Sequence, residues 1–307
     1  MAVALTTPTQ LASAFPFELL HELGRGTTSL VYKARDRRSG ALVALKIGIA
    51  EGSRAWLAEE AERLWRAQSP HLPRLVDLGE IPSDAGAFAG APYLAVVFTE
   101  GQALDVRADR SPADRLVLAL SVARDVGRAL AALHEAGVVH RDVKPENVLV
   151  EKRPDGRIEA RLIDLGLATD ADQRTLRGGT PRYLPPETWL AADTGDGRAR
   201  DRLALGLVLA EILDPAVAAA EDALTIARTA SFPAPFDRIC PALLAQTPGA
   251  RPRARWVAEE AARALNEALV EDVENAVRAA YLASRRAEIL RASRCETVEA
   301  HIRGRAH

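Results

Sequence analysis

His140-Arg141-Asp142-Val143-Lys144-Pro145-Glu146-Asn147 places an acid, a base, a cation and an amide within eight residues. The stretch follows Gly137-Val138-Val139 and precedes the apolar run Val148-Leu149-Val150. This pattern predicts a charged loop pinned between two buried segments, the setting in which catalytic side chains are held in fixed positions. Taken alone, the octapeptide leaves several chemistries open, and its surroundings decide among them.

The chain has 307 residues, 48% of them hydrophobic and 27% charged, which suits one large globular domain or two lobes. A formal net charge of -2 gives no whole-molecule attraction to nucleic acid or anionic membrane. Two distant cysteines, Cys240 and Cys295, exclude a disulfide scaffold and a four-cysteine zinc site, and fit a reducing compartment. Met1 to Pro16 carries no basic n-region, so no secretory leader is expected. No stretch approaches the roughly 20 uninterrupted apolar residues of a membrane helix. The expectation is a soluble cytoplasmic protein with no nucleic-acid or membrane partner.

Working towards the N-terminus, Asp114 to Glu135 has the helical spacing Leu116, Leu120, Ala123, Val126, Leu130 and Leu133, closed by Gly137. Before it, Phe15–Leu23, Leu30–Asp36, Ala41–Ile49, Leu72–Leu78 and Tyr93–Phe98 read as strands of a small antiparallel sheet, and Glu80–Pro92 as a surface loop. Gly24-Arg25-Gly26-Thr27-Thr28-Ser29 joins the first two strands. Its glycines would allow backbone N–H groups to close over phosphate oxygens, although a plain turn has the same signature. Lys46 sits among apolar neighbours and is expected to be either an edge residue or paired with charge. Gly52 to Ala67 is helical, and Leu57, Glu60, Ala61 and Leu64 share one face, so an inward Glu60 is the obvious partner for Lys46. The bland alternative points Glu60 to water. On the other side, Arg161-Leu162-Ile163 leads into Asp164-Leu165-Gly166. A polar loop then runs to Gly179-Thr180-Pro181-Arg182-Tyr183, and a buried-looking helix spans Arg200–Leu213. Asp201 at the start of that helix suits the helix dipole. The predicted fold class is α+β: a mostly-β lobe over 15–97 and an α lobe over 98–257, flanked by a flexible 1–14 and a helical extension over 258–307. In the extension, Val270, Val273, Val277 and Tyr281 mark one face, read as packing on the larger lobe. Dimerisation or contact with a partner domain are the alternatives.

In this order the motifs resemble the eukaryotic-type (Hanks-type) protein serine/threonine kinases, over roughly residues 17 to 257. This motif set is a standard worked template of phosphoryl transfer. Gly24-x-Gly26 with Val31 resembles the phosphate-covering loop, and Val43-Ala44-Leu45-Lys46 the third-strand lysine motif. Glu60 is similar to the helix-C glutamate, His140–Asn147 to the catalytic loop, and Asp164-Leu165-Gly166 to the metal-binding turn. Gly179 to Glu187 resembles the end of the activation segment. Asp201-x-x-x-Leu205-Gly206 resembles the helix supporting the catalytic loop, and Arg251-Pro252 the partner of Glu187.

The resemblance implies a bilobal fold, ATP with Mg²⁺ (Mn²⁺ as an alternative) and a protein substrate. Lys46 would contact the α- and β-phosphates, Glu60 would hold Lys46, and Asp164 and Asn147 would bind metal. Asp142 would take the substrate hydroxyl proton, and Lys144 would reach the γ-phosphate, with Thr180 contacting both. Leu23, Gly24, Gly26, Val31, Ala44, Val97, Thr99 and Leu149 would complete the nucleotide pocket, with Val96 as a small gatekeeper. The Asp-x-Lys-x-x-Asn form implies Ser or Thr acceptors. His140 is expected in the core with Leu64 and Leu165. Arg141 before the catalytic aspartate implies control by phosphorylation of the activation segment, with Thr175 as first candidate and Thr169 as second. The alternative is a segment ordered by packing alone.

Ser29 replaces the third glycine, Leu165 a phenylalanine, Pro185 an alanine, and Val97 an acidic hinge residue. Asp214 to Pro248 looks short and Ala-rich, implying a trimmed lower lobe, and the Ala/Arg-rich composition suits a GC-rich bacterial genome. Two competing readings remain. A pseudokinase is disfavoured by the presence of Lys46, Asp142, Asn147 and Asp164. A small-molecule kinase is disfavoured by the Gly179–Glu187 segment and its Arg251 partner.

Overall fold

The computed structural model describes residues 15–84, 86–171, 178–189 and 196–268. Expectations for 1–14, for Thr175 and for the apolar face from Val270 onward lie outside the described residues. The chain divides into two compact units, 1–261 and 262–307, and the second is described only to residue 268.

The N-terminal part is a five-stranded antiparallel sheet in the order β1-β2-β3-β5-β4. Its strands are β1 (Phe17–Arg25), β2 (Ser29–Asp36), β3 (Leu42–Gly48), β4 (Leu75–Glu80) and β5 (Pro92–Val97). Alternation along β3 buries Val43, Leu45 and Ile47 and leaves Ala44 and Lys46 on the opposite face. The buried face packs on Phe15, Phe17 and Tyr93, whose rings meet edge to face at 5.2 to 5.7 Å. Glu80–Pro92 is not a plain surface loop. Ile81 and Phe88 are buried in this core, because two apolar anchors gain more under the sheet than in water. The fourth strand begins at Leu75 rather than Leu72, since Pro73 cannot donate to the ladder.

Helix α1 (Ser53–Arg66) starts after Gly52, whose φ of 80° only glycine adopts readily, and it buries Leu57, Glu60, Ala61 and Leu64 as its periodicity predicts. β6 (Gln102–Ala103) follows, and then α2 (Pro112–Glu135). The start of α2 lies two residues before the predicted Asp114. Ser111 caps it by accepting from the Asp114 N–H at 3.1 Å, and Pro112 occupies the first turn, where no N–H is needed. Gly137, with φ 73°, lies just past the end of the helix.

Next come β7 (Val138–Val139), β8 (Val148–Lys152), β9 (Ile158–Leu162) and β10 (Thr169–Asp170). β8 lies between β6 and β9, and β10 pairs with β7. The charged octapeptide therefore runs between β7, which is buried, and β8, of which only Val148 is buried. Helix α3 (Gly197–Leu213) begins three residues before the predicted Arg200, capped by the Asp196 side chain on the Arg198 N–H at 3.1 Å. Asp201 is thus the fifth helical residue and buried, and the terminal position expected for it belongs to Asp196. The Ala-rich stretch holds α4 (Pro215–Ala219), α5 (Ala223–Thr229) and α6 (Phe236–Leu243), and a further helix covers 254–268. Apolar side chains of α2, α3 and α6 form the lower core. Among the described residues, no helix is long and apolar enough to cross a membrane.

Candidate active site

A cavity of about 540 Å³ lies between the sheet and the lower lobe. Leu23, Gly24, Gly26, Val31, Ala44, Lys46, Glu60, Val97, Thr99, Asn147, Leu149 and Asp164 all line it, as does Val96. Gly24 has nothing within 4 Å of the place where a Cβ would stand. The fold itself therefore does not demand glycine there, and a side chain would occupy open space at a residue that lines the cavity. Val97 and Phe98 donate their N–H groups to Arg74 and Leu42 carbonyls at 2.9 and 3.1 Å, so those two amides belong to the sheet.

Lys46, projected from β3, meets two carboxylates. Its Nζ lies 2.7 Å from Glu60 Oε2 and 2.7 Å from Asp164 Oδ1. Glu60 therefore points inward, and its water-facing alternative is excluded. Burial alone would lower the Lys46 ammonium, but Glu60 and Asp164 outweigh it and hold the group above the usual lysine value. Burial pushes Glu60 up, opposed by Lys46 and by the Leu165 N–H. Asp164 is held below the usual carboxylate range because Lys46 outweighs its burial. Asp164 has φ 65°, and its Oδ1 also accepts the Gly166 N–H at 3.2 Å. A Cβ on Gly166 would stand 3.0 Å from that oxygen and 3.1 Å from Lys46 Nζ, so glycine keeps this corner open.

Below the cavity, Asp142 is buried and surrounded by donors. Thr180 gives its N–H and Oγ1 to Oδ1 at 3.1 and 2.9 Å, and Asn147 Nδ2 reaches Oδ2 at 3.1 Å and the Asp142 carbonyl at 2.8 Å. Lys144 Nζ lies 2.7 Å from Oδ2 and donates to Thr180 Oγ1 at 3.1 Å. The structure thus brings all four expected residues, Asp142, Lys144, Asn147 and Thr180, into one cluster across 38 residues of sequence. Asn147 joins the cluster to the cavity it lines. With Nδ2 committed to Asp142, the amide oxygen is the atom Asn147 has to offer a cation. Among the described residues, no group of three or more His, Cys, Asp or Glu converges to hold a metal unaided. Two oxygen donors, Asp164 and Asn147, suit a hard divalent cation.

His140 is fully buried, and burial lowers its pKa. It lies at hydrogen-bond distance from the Ile163 carbonyl through Nε2 (3.2 Å), while Nδ1 faces the Asp142 N–H at 3.3 Å. A neutral ring with its proton on Nε2 satisfies both contacts, so His140 orients the loop; Leu64 and Leu165 are buried as expected. Thr169 lies half-buried in β10, paired with Val139.

Asp201, expected from the resemblance on the helix that supports the catalytic loop, does so, whereas the His134 and Arg182–Glu211 contacts were missed by sequence reading. Asp201 accepts the His140 and Arg141 N–H groups at 2.9 and 2.8 Å, and His134 Nε2 from the end of α2 at 2.9 Å. Arg182 meets Glu211 Oε1 at 2.6 Å and three carbonyls of 217–220, while the Tyr183 hydroxyl donates to Glu211 Oε2 at 2.9 Å. Arg251 pairs with Glu187 at 2.6 Å, as expected, but it also donates to the Ala199 and Ala245 carbonyls. A charge at a core position was the only available signal for Glu211.

A sheet carrying a carboxylate-tied lysine above a helical lobe with a caged aspartate defines the bilobal kinase fold. The chain belongs to the protein kinase family, whose domain model matches residues 17–265. It is 35% identical over 218 residues to the serine/threonine-protein kinase PknD of Mycobacterium tuberculosis, covering 66% of this chain and 30% of that protein. The DNA damage-responsive serine/threonine-protein kinase RqkA of Deinococcus radiodurans is 34% identical over 67% of this chain and 30% of its own length. Mitogen-activated protein kinase kinase 7 of Arabidopsis thaliana is 30% identical over 65% of this chain and 64% of its own. The chain thus spans under a third of the length of the two bacterial relatives.

Proposed function

We propose that this protein transfers the γ-phosphoryl group of ATP, with Mg²⁺ or alternatively Mn²⁺, to serine and threonine hydroxyls of proteins in the cytoplasm. The observation that carries the reading is Thr180 bound to both Asp142 and Lys144. It ties the acid–base pair to the 179–187 segment, which Glu187–Arg251 and Arg182–Glu211 hold as a shelf for an extended polypeptide. A small-molecule kinase has no use for such a shelf.

In this reading Lys46 neutralises the α- and β-phosphates, oriented by Glu60, under the Gly24–Gly26 loop. The Val97 carbonyl and the Thr99 backbone meet the adenine edge, with Leu23, Val31, Ala44 and Leu149 on its faces. Asp164 and Asn147 would hold the cation, which supplies charge neutralisation between the phosphates. The substrate oxygen bonds to the γ-phosphorus as the bond to the β-bridging oxygen breaks, ADP leaves, and the hydroxyl proton passes to Asp142. Lys144 balances the charge on the phosphoryl oxygens. Autophosphorylation at Thr175 belongs to the same proposal and is read by mass spectrometry after incubation with MgATP.

Radiolabelled ATP with generic protein substrates tests the reading. Wild type should label Ser and Thr, and Asp142→Asn should lower transfer by about 10²- to 10³-fold while nucleotide binding persists. Label confined to tyrosine or to small molecules, or no transfer by the wild type, would overturn it.

A further inference from the structure

Arg200 and Asp201 both hold the backbone of Arg141, one at its carbonyl and the other at its N–H. Asp201 takes the N–H groups of His140 and Arg141, and Arg200 Nη2 donates to the Arg141 carbonyl at 3.0 Å. Arg141 has φ 71°, a region that non-glycine residues seldom occupy unless their surroundings enforce it. The same Nη2 also donates to the Gly178 carbonyl, at the far end of the activation segment. One guanidinium, only 8% exposed, therefore joins two segments that are 37 residues apart.

The glycines there fit this bridge. Gly178 and Gly179 have φ 113° and 105°, and a Cβ on Gly179 would collide with the Arg200 guanidinium and stand 2.8 Å from the Arg141 carbonyl. Arg200 occupies the space where a side chain at 179 would go. The next residue, Thr180, gives its N–H and hydroxyl to Asp142. Four residues past Gly178, Arg182 secures the other end of the turn on Glu211.

We propose that Arg200 is a positioning residue for phosphoryl transfer. It staples the Gly178–Thr180 turn to the catalytic loop, and so keeps Thr180 on Asp142 without any phosphate on the activation segment. The inference rests on the kinase reading. A guanidinium suits the task because it is always charged and presents several donors in a fixed plane. Its permanent charge fills the ordering role that an added phosphate would otherwise take through a nearby cation.

The test compares phosphatase-treated wild type, Arg200→Met and Arg200→Lys in the full chain. Wild type should keep its activity after phosphatase treatment. Arg200→Met should lower kcat about 10- to 100-fold, as expected for a small misplacement of the catalytic group, with KM for ATP within about twofold. Hydrogen exchange should rise over 178–184 and stay unchanged in the sheet of 17–97, and Arg200→Lys should recover part of both losses. Unchanged kcat and exchange in Arg200→Met would overturn the proposal. So would loss of wild-type activity on dephosphorylation, or faster exchange throughout the chain, the signature of general packing. If the wild type transfers no phosphate at all, the kinase reading fails, and the exchange over 178–184 still decides whether Arg200 holds the turn.

Discussion

Replacing Asp201 with Asn exchanges one carboxylate oxygen for an NH₂ group at almost constant shape. Asp201 is 1% exposed and accepts three hydrogen bonds of 2.8 to 2.9 Å, from the His140 and Arg141 N–H groups and from His134 Nε2. The best placement of Asn keeps its oxygen on the His140 and His134 side and turns NH₂ against the Arg141 N–H. One charge-assisted bond is lost, about 1.5–3 kcal/mol, and the other two fall to neutral strength, about 1 kcal/mol each. Relief from burying a charge offsets part of this, leaving a loss of about 3 kcal/mol. For a domain of this size that is a fall in Tm of about 6–12 °C by scanning fluorimetry. The Arg141 backbone also loses what holds its positive φ, so kcat should fall about 10²-fold through displacement of Asp142. The pH dependence has a definite sign. Burial would raise the Asp201 carboxyl, but His134 and the backbone N–H groups outweigh it and hold it below the ordinary value. A depressed folded pKa stabilises above the unfolded value of about 4, and that contribution is lost as pH falls through the folded pKa. The Tm gap between wild type and Asp201→Asn should therefore narrow in acid. A variant melting within about 2 °C of wild type at neutral pH, with kcat unchanged, would refute the reasoning.

Two further perturbations address the ion pairs. Lys46→Met should cost about 10²- to 10³-fold in kcat/KM, because it removes the charge aimed at the phosphates. Glu60→Gln should cost only about tenfold, since Asp164 still holds Lys46 at 2.7 Å; equal losses would deny this order of roles. Arg182→Ala leaves the fully buried Glu211 without its cation, and should lower unfolding stability by about 3–5 kcal/mol in a urea titration. Arg182→Ala combined with Glu211→Gln should recover part of that loss, and simple additivity of the two single losses would count against the pair.

The parts legible in the sequence share a physical origin. The stripe Leu57, Glu60, Ala61 and Leu64 lies on the buried face of α1, because helical spacing alone puts those positions together. Alternation in β3 likewise put Lys46 opposite its apolar neighbours. The octapeptide alone left several chemistries open, and Asp142, Lys144 and Asn147 were singled out by the ordered set of motifs that resembles the kinase family. The start of α2 was missed although Ser111-Pro112 is itself a local signal, while the true cap of α3 is Asp196. Asp125 was not noticed, yet it is fully buried in α2, accepts the Ala160 N–H at 3.0 Å and holds Arg124 at 2.6 Å.

By itself the sequence determined the main helices and the strands of the N-terminal sheet, because periodicity is a property of neighbouring positions, while the residues around the cavity followed from the resemblance that the ordered short motifs carry. Only the tertiary structure decided which acceptors the long charged side chains reach. Arg200 on two carbonyls 37 residues apart, Asp201 on the loop that holds Asp142, and Arg182 on Glu211 are contacts between distant segments. A guanidinium or carboxylate can satisfy its charge in many ways in an extended chain. Burial against a particular set of unpaired backbone groups selects one of them.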